Sequence, residues 1–139
     1  MAVVRQVLAT EHFRNVDRHQ VMTSPEILSL RVDESLYFAN TRYLEDRVAE
    51  LVADRPEMKH VVLMCSAVNA IDASALESLE EINHRLNDAG ITLHLSEVKG
   101  PVMDRLKRSH FLDDLTGTIF LSQFEAIAHL KQDTEPPAR

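Results

Sequence analysis

Residues 61–90 read VVLMCSAVNAIDASALESLEEINHRLNDAG, and this stretch decides the fold. The run from Val61 to Cys65 is apolar without polar alternation, which is typical of a central strand covered on both faces. Asp72 then precedes apolar residues at helical spacing, and Gly90 follows them. The stretch therefore predicts a buried parallel strand, a turn that ends at the helix cap Asp72, and a helix closed by Gly90.

The residues before this stretch favour further strands and one helix. Apolar residues at 27–32 and again at 36–38 predict a strand and its continuation or partner, separated by Asp33-Glu34-Ser35. Asn40 is predicted to cap an amphipathic helix that ends before Pro56, because apolar residues recur every three or four positions between them.

The residues after this stretch continue the alternation. Residues 91–95 alternate as a strand, and Gly100-Pro101 opens a helix that extends through Lys107. Residues 118–121 predict a short strand, and residues 122–125 form a capping box for a last helix. The whole order predicts an α/β fold with a mixed, mostly parallel sheet of four to six strands and helices packed against it.

We divide the chain into three parts. Residues 1–24 form a leading segment with one edge strand, because Pro25 pushes the residue before it toward an extended conformation. Residues 25–131 form the folded domain. Residues 132–139 contain two prolines and no core residue, so we expect a loose C-terminal tail.

Composition and charge argue against several classes of function. The chain carries 15 Lys and Arg against 22 Asp and Glu, a net charge of -7, which disfavours a nucleic-acid partner. Cys65 is the single cysteine and the seven histidines are scattered, so we expect no disulfide, no metal site and no cofactor.

The longest apolar run, 61–70, is shorter than the roughly 20 residues of a membrane-spanning helix. We expect the isolated chain to be soluble.

Three segments carry a family resemblance. Residues 71–75, IDASA, resemble the Asp-x-Ser/Thr-Gly/Ala signature of STAS domains at a strand-to-helix junction. Residues 11–16, EHFRNV, and 30–40, LRVDESLYFAN, resemble the stretch that follows the last membrane helix of SulP-family anion transporters. The LYFAN part distinguishes SulP-type STAS domains from free-standing anti-sigma-factor antagonists.

The resemblance implies a STAS fold and a non-catalytic regulatory or interaction domain of a SulP-like transporter for sulfate or a related anion. Its partner would be the membrane-embedded transporter domain of the same polypeptide, at the cytoplasmic face of the inner or plasma membrane. The contact surface would be the sheet edge and the helix after Asp72. The alternatives are a free-standing partner-switching protein like the anti-sigma-factor antagonists, or a nucleotide-sensing STAS module.

Asp72 and Ser74 are the candidate site residues at the junction. Helix capping, including a capping box of Ser74 with Glu77, explains both residue types without a ligand. The functional alternative is phosphorylation, or contact with an anion or nucleotide at the helix N-terminus. In the antagonists the phosphoacceptor directly follows the aspartate, and that position is Ala73 here. No Gly-x-Ser-x-Gly motif accompanies Ser74, so we expect no enzyme activity.

A basic segment, residues 99–110, KGPVMDRLKRSH, is the other candidate site. It could be a solvated helix face, or it could dock an acidic protein such as the acyl carrier protein that the resemblance suggests. The predicted docking residues are Lys99, Met103, Arg105, Leu106, Lys107 and Arg108. Nearby, His94 alternates with Leu93 and Leu95, so we expect a structural histidine on the opposite sheet face or near the carboxyl edge of the strand.

Overall fold

One sheet organises the part of the chain that the computed structural model describes, residues 20–32 and 38–134. Its strands are β1 (Gln20–Ser24), β2 (Ile27–Arg31), β3 (His60–Met64), β4 (Thr92–Ser96) and β5 (Ile119–Phe120), and they lie side by side in that order. Strand β1 is antiparallel to β2, whereas the other neighbouring strands are parallel. The predicted mixed, mostly parallel sheet is confirmed.

Helices connect the parallel strands, and one further helix follows the last strand, as the alternating pattern predicts. They are α1 (Phe38–Ala53), α2 (Ala73–Asp88), α3 (Gly100–Lys107), the short α4 (Phe111–Asp114) and α5 (Gln123–Thr134). Helix α2 ends at Asp88, and Gly90 follows with a φ of 79°, a left-handed conformation that glycine adopts without steric cost.

The two faces of the sheet bury different amounts of apolar surface. Alternate residues of β2, β3 and β4 point to the first face, where they form the larger core with residues from α1, α2, α3 and α4. On the second face, within the described residues, Ile27, Val62 and Phe120 form the smaller buried cluster with Ala126 and Leu130 of α5, and Ile127 packs against it. The central strand β3 is therefore covered on both faces, which explains its uninterrupted apolar sequence.

Some predicted boundaries are wrong. Phe38 and Asn40 lie inside α1, so Phe38 is not part of a strand and Asn40 is not the helix cap. Helix α5 continues to Thr134, three residues into the predicted loose tail, because its side chains at Ala126 and Leu130 anchor it to the sheet. Residues 1–19, 33–37 and 135–139 lie outside the described residues. The predictions made for them also lie outside: most of the leading segment, the strand at 36–37 and the end of the loose tail.

Candidate functional site

The loops after β3, β4 and β5 meet at one edge of the sheet, because the carboxyl ends of parallel strands lie on the same side. These loops lead into α2, α3 and α5, respectively. We call this region the carboxyl-edge surface and define it by six residues: Asn69, Asp72, Ser74, Lys99, Leu121 and Phe124.

Asp72 is the N-cap of α2, as predicted. Its Oδ1 accepts a hydrogen bond from the Ala75 backbone N–H at 2.8 Å, and its own carbonyl accepts from Leu76 N at 3.0 Å. Its extended backbone, with φ -98° and ψ 175°, is typical of this position. A carboxylate thus occupies the place at the helix N-terminus where a bound anion would approach the backbone N–H groups.

Ser74 lies in the first turn of α2 and is exposed. It is the second residue of the helix and cannot be its N-cap, so the predicted capping box of Ser74 with Glu77 is wrong. The Ser74 side chain therefore faces solvent beside the carboxylate-capped end of the helix.

A hydrogen bond connects the two loops nearest Asp72. Lys99 Nζ donates to Asn69 Oδ1 at 2.6 Å, which connects the start of α3 to the loop between β3 and α2. Lys99 is exposed, so its positive charge remains available on the carboxyl-edge surface.

The structure corrects the predicted basic docking face in one respect. Leu106 is fully buried with Val102, one helical turn before it, and it contributes to the larger core. Lys107 and Arg108 are exposed, whereas Met103 is half-buried. Arg105 is half-buried too, and its buried Nε has no hydrogen-bond partner within the described part of the chain.

Leu121 and Phe124 form an exposed apolar pair that the sequence reasoning missed. Their side chains are 87% and 82% exposed, and they flank the start of α5. Ser122 between them accepts a hydrogen bond at its Oγ from Glu125 N at 3.0 Å, so the predicted helix start is real. Both side chains lie within one four-residue segment, and exposed apolar surface that forms a continuous patch marks sites of interaction.

A buried polar network fixes the start of α5. Gln123 donates from Nε2 to Ser29 Oγ at 2.7 Å and accepts at Oε1 from Ser96 Oγ at 2.6 Å. Glu97 has a φ of 56°, which a non-glycine residue rarely adopts, and its Oε2 accepts from Gln123 N at 2.9 Å. The exposed pair is therefore presented by a rigidly held helix end.

Among the residues that the structure describes, no group of three or more His, Cys, Asp or Glu side chains could hold a metal ion. Within that same part of the chain, no helix is both long enough and apolar enough to span a membrane. Cys65 is buried, and burial raises the pKa of its thiol to about 12.

These features define a class of small α/β domain with one antiparallel edge strand, an aspartate-capped helix after the central strand, and loops that meet at the carboxyl edge of the sheet. The family model described as "STAS domain" matches residues 18–126, and the chain belongs to the STAS domain family. The predicted family and the STAS fold are confirmed.

The curated relatives are sulfate transporters. "Sulfate transporter 1.3" of Arabidopsis thaliana is 31% identical over 138 residues, which cover 91% of this chain and 21% of that protein. The chain therefore spans about a fifth of the length of the curated relatives it matches.

Solved structures share the fold at low sequence identity. The murine Solute Carrier 26 family member A9 anion transporter, in its inward-facing state, aligns with a TM-score of 0.73 and 14% identity over 95% of this chain and 21% of that one. The anti-sigma factor antagonist SpoIIAA, in its unphosphorylated form, aligns with a TM-score of 0.69 and 11% identity over 82% and 96% of the two chains. At these identities both likenesses concern the fold alone.

Proposed function

We propose that this chain is the non-catalytic, cytoplasmic regulatory domain of a SulP-like transporter for sulfate or a related anion. Its partner is the membrane-embedded part of the same polypeptide. The sulfate transporter relatives support this proposal, because the matched region is about a fifth of a much longer protein. The domain contributes contacts to that partner, while anion transport takes place in the membrane part.

The exposed pair on the carboxyl-edge surface is the observation that carries the proposal. Leu121 and Phe124 expose most of their apolar side chains although both flank a helix end held by buried hydrogen bonds. Burying such side chains against a partner removes apolar surface from water at about 25 cal/mol per Å². Lys99 on the same surface adds a positive charge that complements acidic residues of a partner.

The basic side of α3 is proposed as a second contact, for an acidic protein segment. Lys99, Lys107 and Arg108 are exposed on a chain whose net charge is -7, so they form a local field opposite in sign to the rest of the domain. An acidic helical protein such as an acyl carrier protein has the matching charge. With Leu106 in the core, Met103 supplies the apolar part of this contact.

The test of the proposal is anion uptake by the full-length polypeptide in proteoliposomes. We expect the double variant Leu121→Ser/Phe124→Ser to lower the rate of sulfate uptake severalfold at equal amounts of folded protein. Tyr43→Ser is the matched control, because Tyr43 is an exposed apolar residue on α1, 49% exposed, outside the carboxyl-edge surface.

Two results would contradict the proposal. One is wild-type uptake in the double variant. The other is a parent reading frame that encodes no membrane-spanning helices besides this domain, which would favour the partner-switching alternative. In that case, incubation with the cognate serine kinase should place a stoichiometric phosphate on Ser74, measured by intact mass.

A further inference from the structure

Two histidines form a direct hydrogen bond on the second face of the sheet. His60 Nδ1 and His94 Nε2 are 3.1 Å apart, and the two residues are diagonal neighbours on the adjacent strands β3 and β4. His94 is buried, with only 5% of its surface exposed, and His60 is half-buried. The sequence analysis gave the opposite sheet face as one of two positions for His94 and missed its pairing with His60.

The second nitrogen of His94 fixes the protonation of the pair. The Thr118 backbone N–H donates to His94 Nδ1 at 3.1 Å, so this nitrogen must be unprotonated. The proton of neutral His94 is then on Nε2, which donates to His60 Nδ1. His60 Nδ1 must also be unprotonated, so the arrangement requires both imidazoles to be neutral.

Close packing keeps the Thr118 segment against His94. A Cβ atom added at Gly117 would lie 2.4 Å from His94 Nδ1 and 2.2 Å from the Leu93 carbonyl oxygen. Only glycine therefore fits at this position without a shift of the backbone. Thr118 also accepts a hydrogen bond at its carbonyl from Leu95 N at 3.1 Å. If His94 Nδ1 carried a proton, it would face the Thr118 backbone N–H, and two hydrogen-bond donors would then oppose each other with no acceptor between them.

The pair is connected to α5 through two contacts between tilted rings. The His94 and Phe120 ring centroids are 5.7 Å apart, and those of Phe120 and His129 on α5 are 5.5 Å apart. Among the described residues, five buried apolar side chains form the cluster that holds α5 on this face. Loss of the His94–Thr118 contact therefore removes one of the contacts that hold β5 to the sheet, and the Gln123 bridge at the start of α5 remains.

We propose that the His60–His94 pair is a pH-sensitive latch, which holds β5 and α5 on the sheet while both imidazoles are neutral and loosens them when either is protonated. This inference goes beyond the proposed function and does not depend on it. Among the described residues, the charged or titratable groups near the pair include His129 across Phe120 and, beside His60, the Glu26–Lys59 ion pair, whose atoms are 3.8 Å apart. The segment from Thr116 to Thr118 contributes none.

The size of the effect follows from proton linkage. The ordinary pKa of an exposed imidazole is near 6.5. Between pH 7.5 and pH 5.5, proton binding therefore raises the population of the open state about tenfold for each histidine. The closed state binds no such proton, so acid does not stabilise it. The opening equilibrium of β5 and α5 should therefore rise by about tenfold to a hundredfold over this range.

Amide hydrogen exchange on the full 139-residue chain tests the latch, after correction for the intrinsic pH dependence of exchange. The reporters are Leu95 N, which donates to Thr118 O, and Ala126 N, which donates to Ser122 O. The internal reference is Cys65 N, which donates to Ser96 O between β3 and β4. We expect opening at the reporters to rise about tenfold to a hundredfold from pH 7.5 to pH 5.5, with little change at Cys65. An equal rise at Cys65, or no rise at the reporters, overturns the proposal.

Two variants separate the latch from a general effect of acid. His60→Gln keeps an acceptor for His94 Nε2 but cannot titrate, so the pH-dependent rise should shrink about tenfold relative to wild type. His84→Gln is the matched control, because His84 is an exposed histidine on α2, and it should behave as wild type. Imidazole ¹⁵N spectra should show the Nε2–H tautomer of His94 at pH 7.5. A wild-type pH response in His60→Gln, or the Nδ1–H tautomer, contradicts the latch.

Discussion

Gln123 Nε2 donates a hydrogen bond to Ser29 Oγ at 2.7 Å, although the two residues are 94 positions apart in the chain. The same amide accepts from Ser96 Oγ at 2.6 Å, so one side chain joins β2 to β4 across β3. Both serines are buried. This bridge holds the first turn of α5 on the sheet and thereby fixes where Leu121 and Phe124 are exposed.

Replacing Gln123 should destabilise the domain. In Gln123→Ala the hydroxyls of Ser29 and Ser96 lose their partner inside the protein, and each buried unsatisfied group costs about 1–3 kcal/mol. We expect the free energy of unfolding to fall by about 2 kcal/mol or more in urea titrations. Gln132→Ala, an exposed position on the same helix, is the control. Equal stability of the two variants would refute the role of the bridge.

The Asp72 cap should have a smaller, separable effect. Asp72→Ala removes the acceptor for Ala75 N and should lower the free energy of unfolding by about 1 kcal/mol. Asp72→Asn retains a capping oxygen and should stay close to wild type. Asp88→Ala, an exposed carboxylate at the other end of α2, serves as the control. If Asp72→Ala and Asp88→Ala are equally stable by chemical denaturation, Asp72 is not a stabilising cap.

Gly117 should tolerate no larger residue. In Gly117→Ala the new Cβ would lie 2.2 Å from the Leu93 carbonyl oxygen, so the backbone must shift, at a cost of about 1–3 kcal/mol or more. Gly100→Ala is the matched control, because a Cβ there meets no atom within 4 Å. Thermal unfolding should show a large drop in Tm for Gly117→Ala alone. Similar Tm values for both variants would mean that the 117–118 segment is loosely packed.

The single cysteine should be inert in the folded state. Burial raises the pKa of Cys65 from its ordinary value of 9.0 to about 12, so at pH 8 only about one thiol in ten thousand is ionised. Alkylation by iodoacetamide should be slow until urea unfolds the chain. The unfolded thiol ionises above about pH 9 and the folded one only near pH 12, so stability should fall as pH rises between these values. Rapid alkylation of the native protein would contradict this account.

The local parts of the fold could be predicted from the sequence. The apolar run at 61–65 and the aspartate before a helical pattern depend on neighbours within one or two turns, and both predictions agree with the structure. Helix ends are less well determined, because Asn40 has the same capping chemistry as Asp72 yet lies inside α1. Tertiary contacts decide which candidate is used.

The long-range parts of the site could not be predicted. The Ser29–Gln123 bridge and the His60–His94 pair join residues 94 and 34 positions apart, and no periodic pattern indicates such partners. The burial of Leu106, by contrast, could have been predicted. Leu106 follows Val102 by four residues, the spacing of a buried apolar helix face, and this spacing argues against a place on the docking face. No sequence pattern indicates that Leu121 and Phe124 are exposed, because leucine and phenylalanine are also common in a hydrophobic core.

The most direct test of the proposed docking is chemical crosslinking in the full-length polypeptide. Because Cys65 is buried, Phe124→Cys introduces a single reactive thiol to this domain on the carboxyl-edge surface. Glu57→Cys, an exposed position before β3 at the opposite edge, is the control. Our account predicts crosslinked peptides between Phe124→Cys and the membrane-embedded part, and few from Glu57→Cys. Equal crosslinking from both positions, or none from Phe124→Cys, would contradict it.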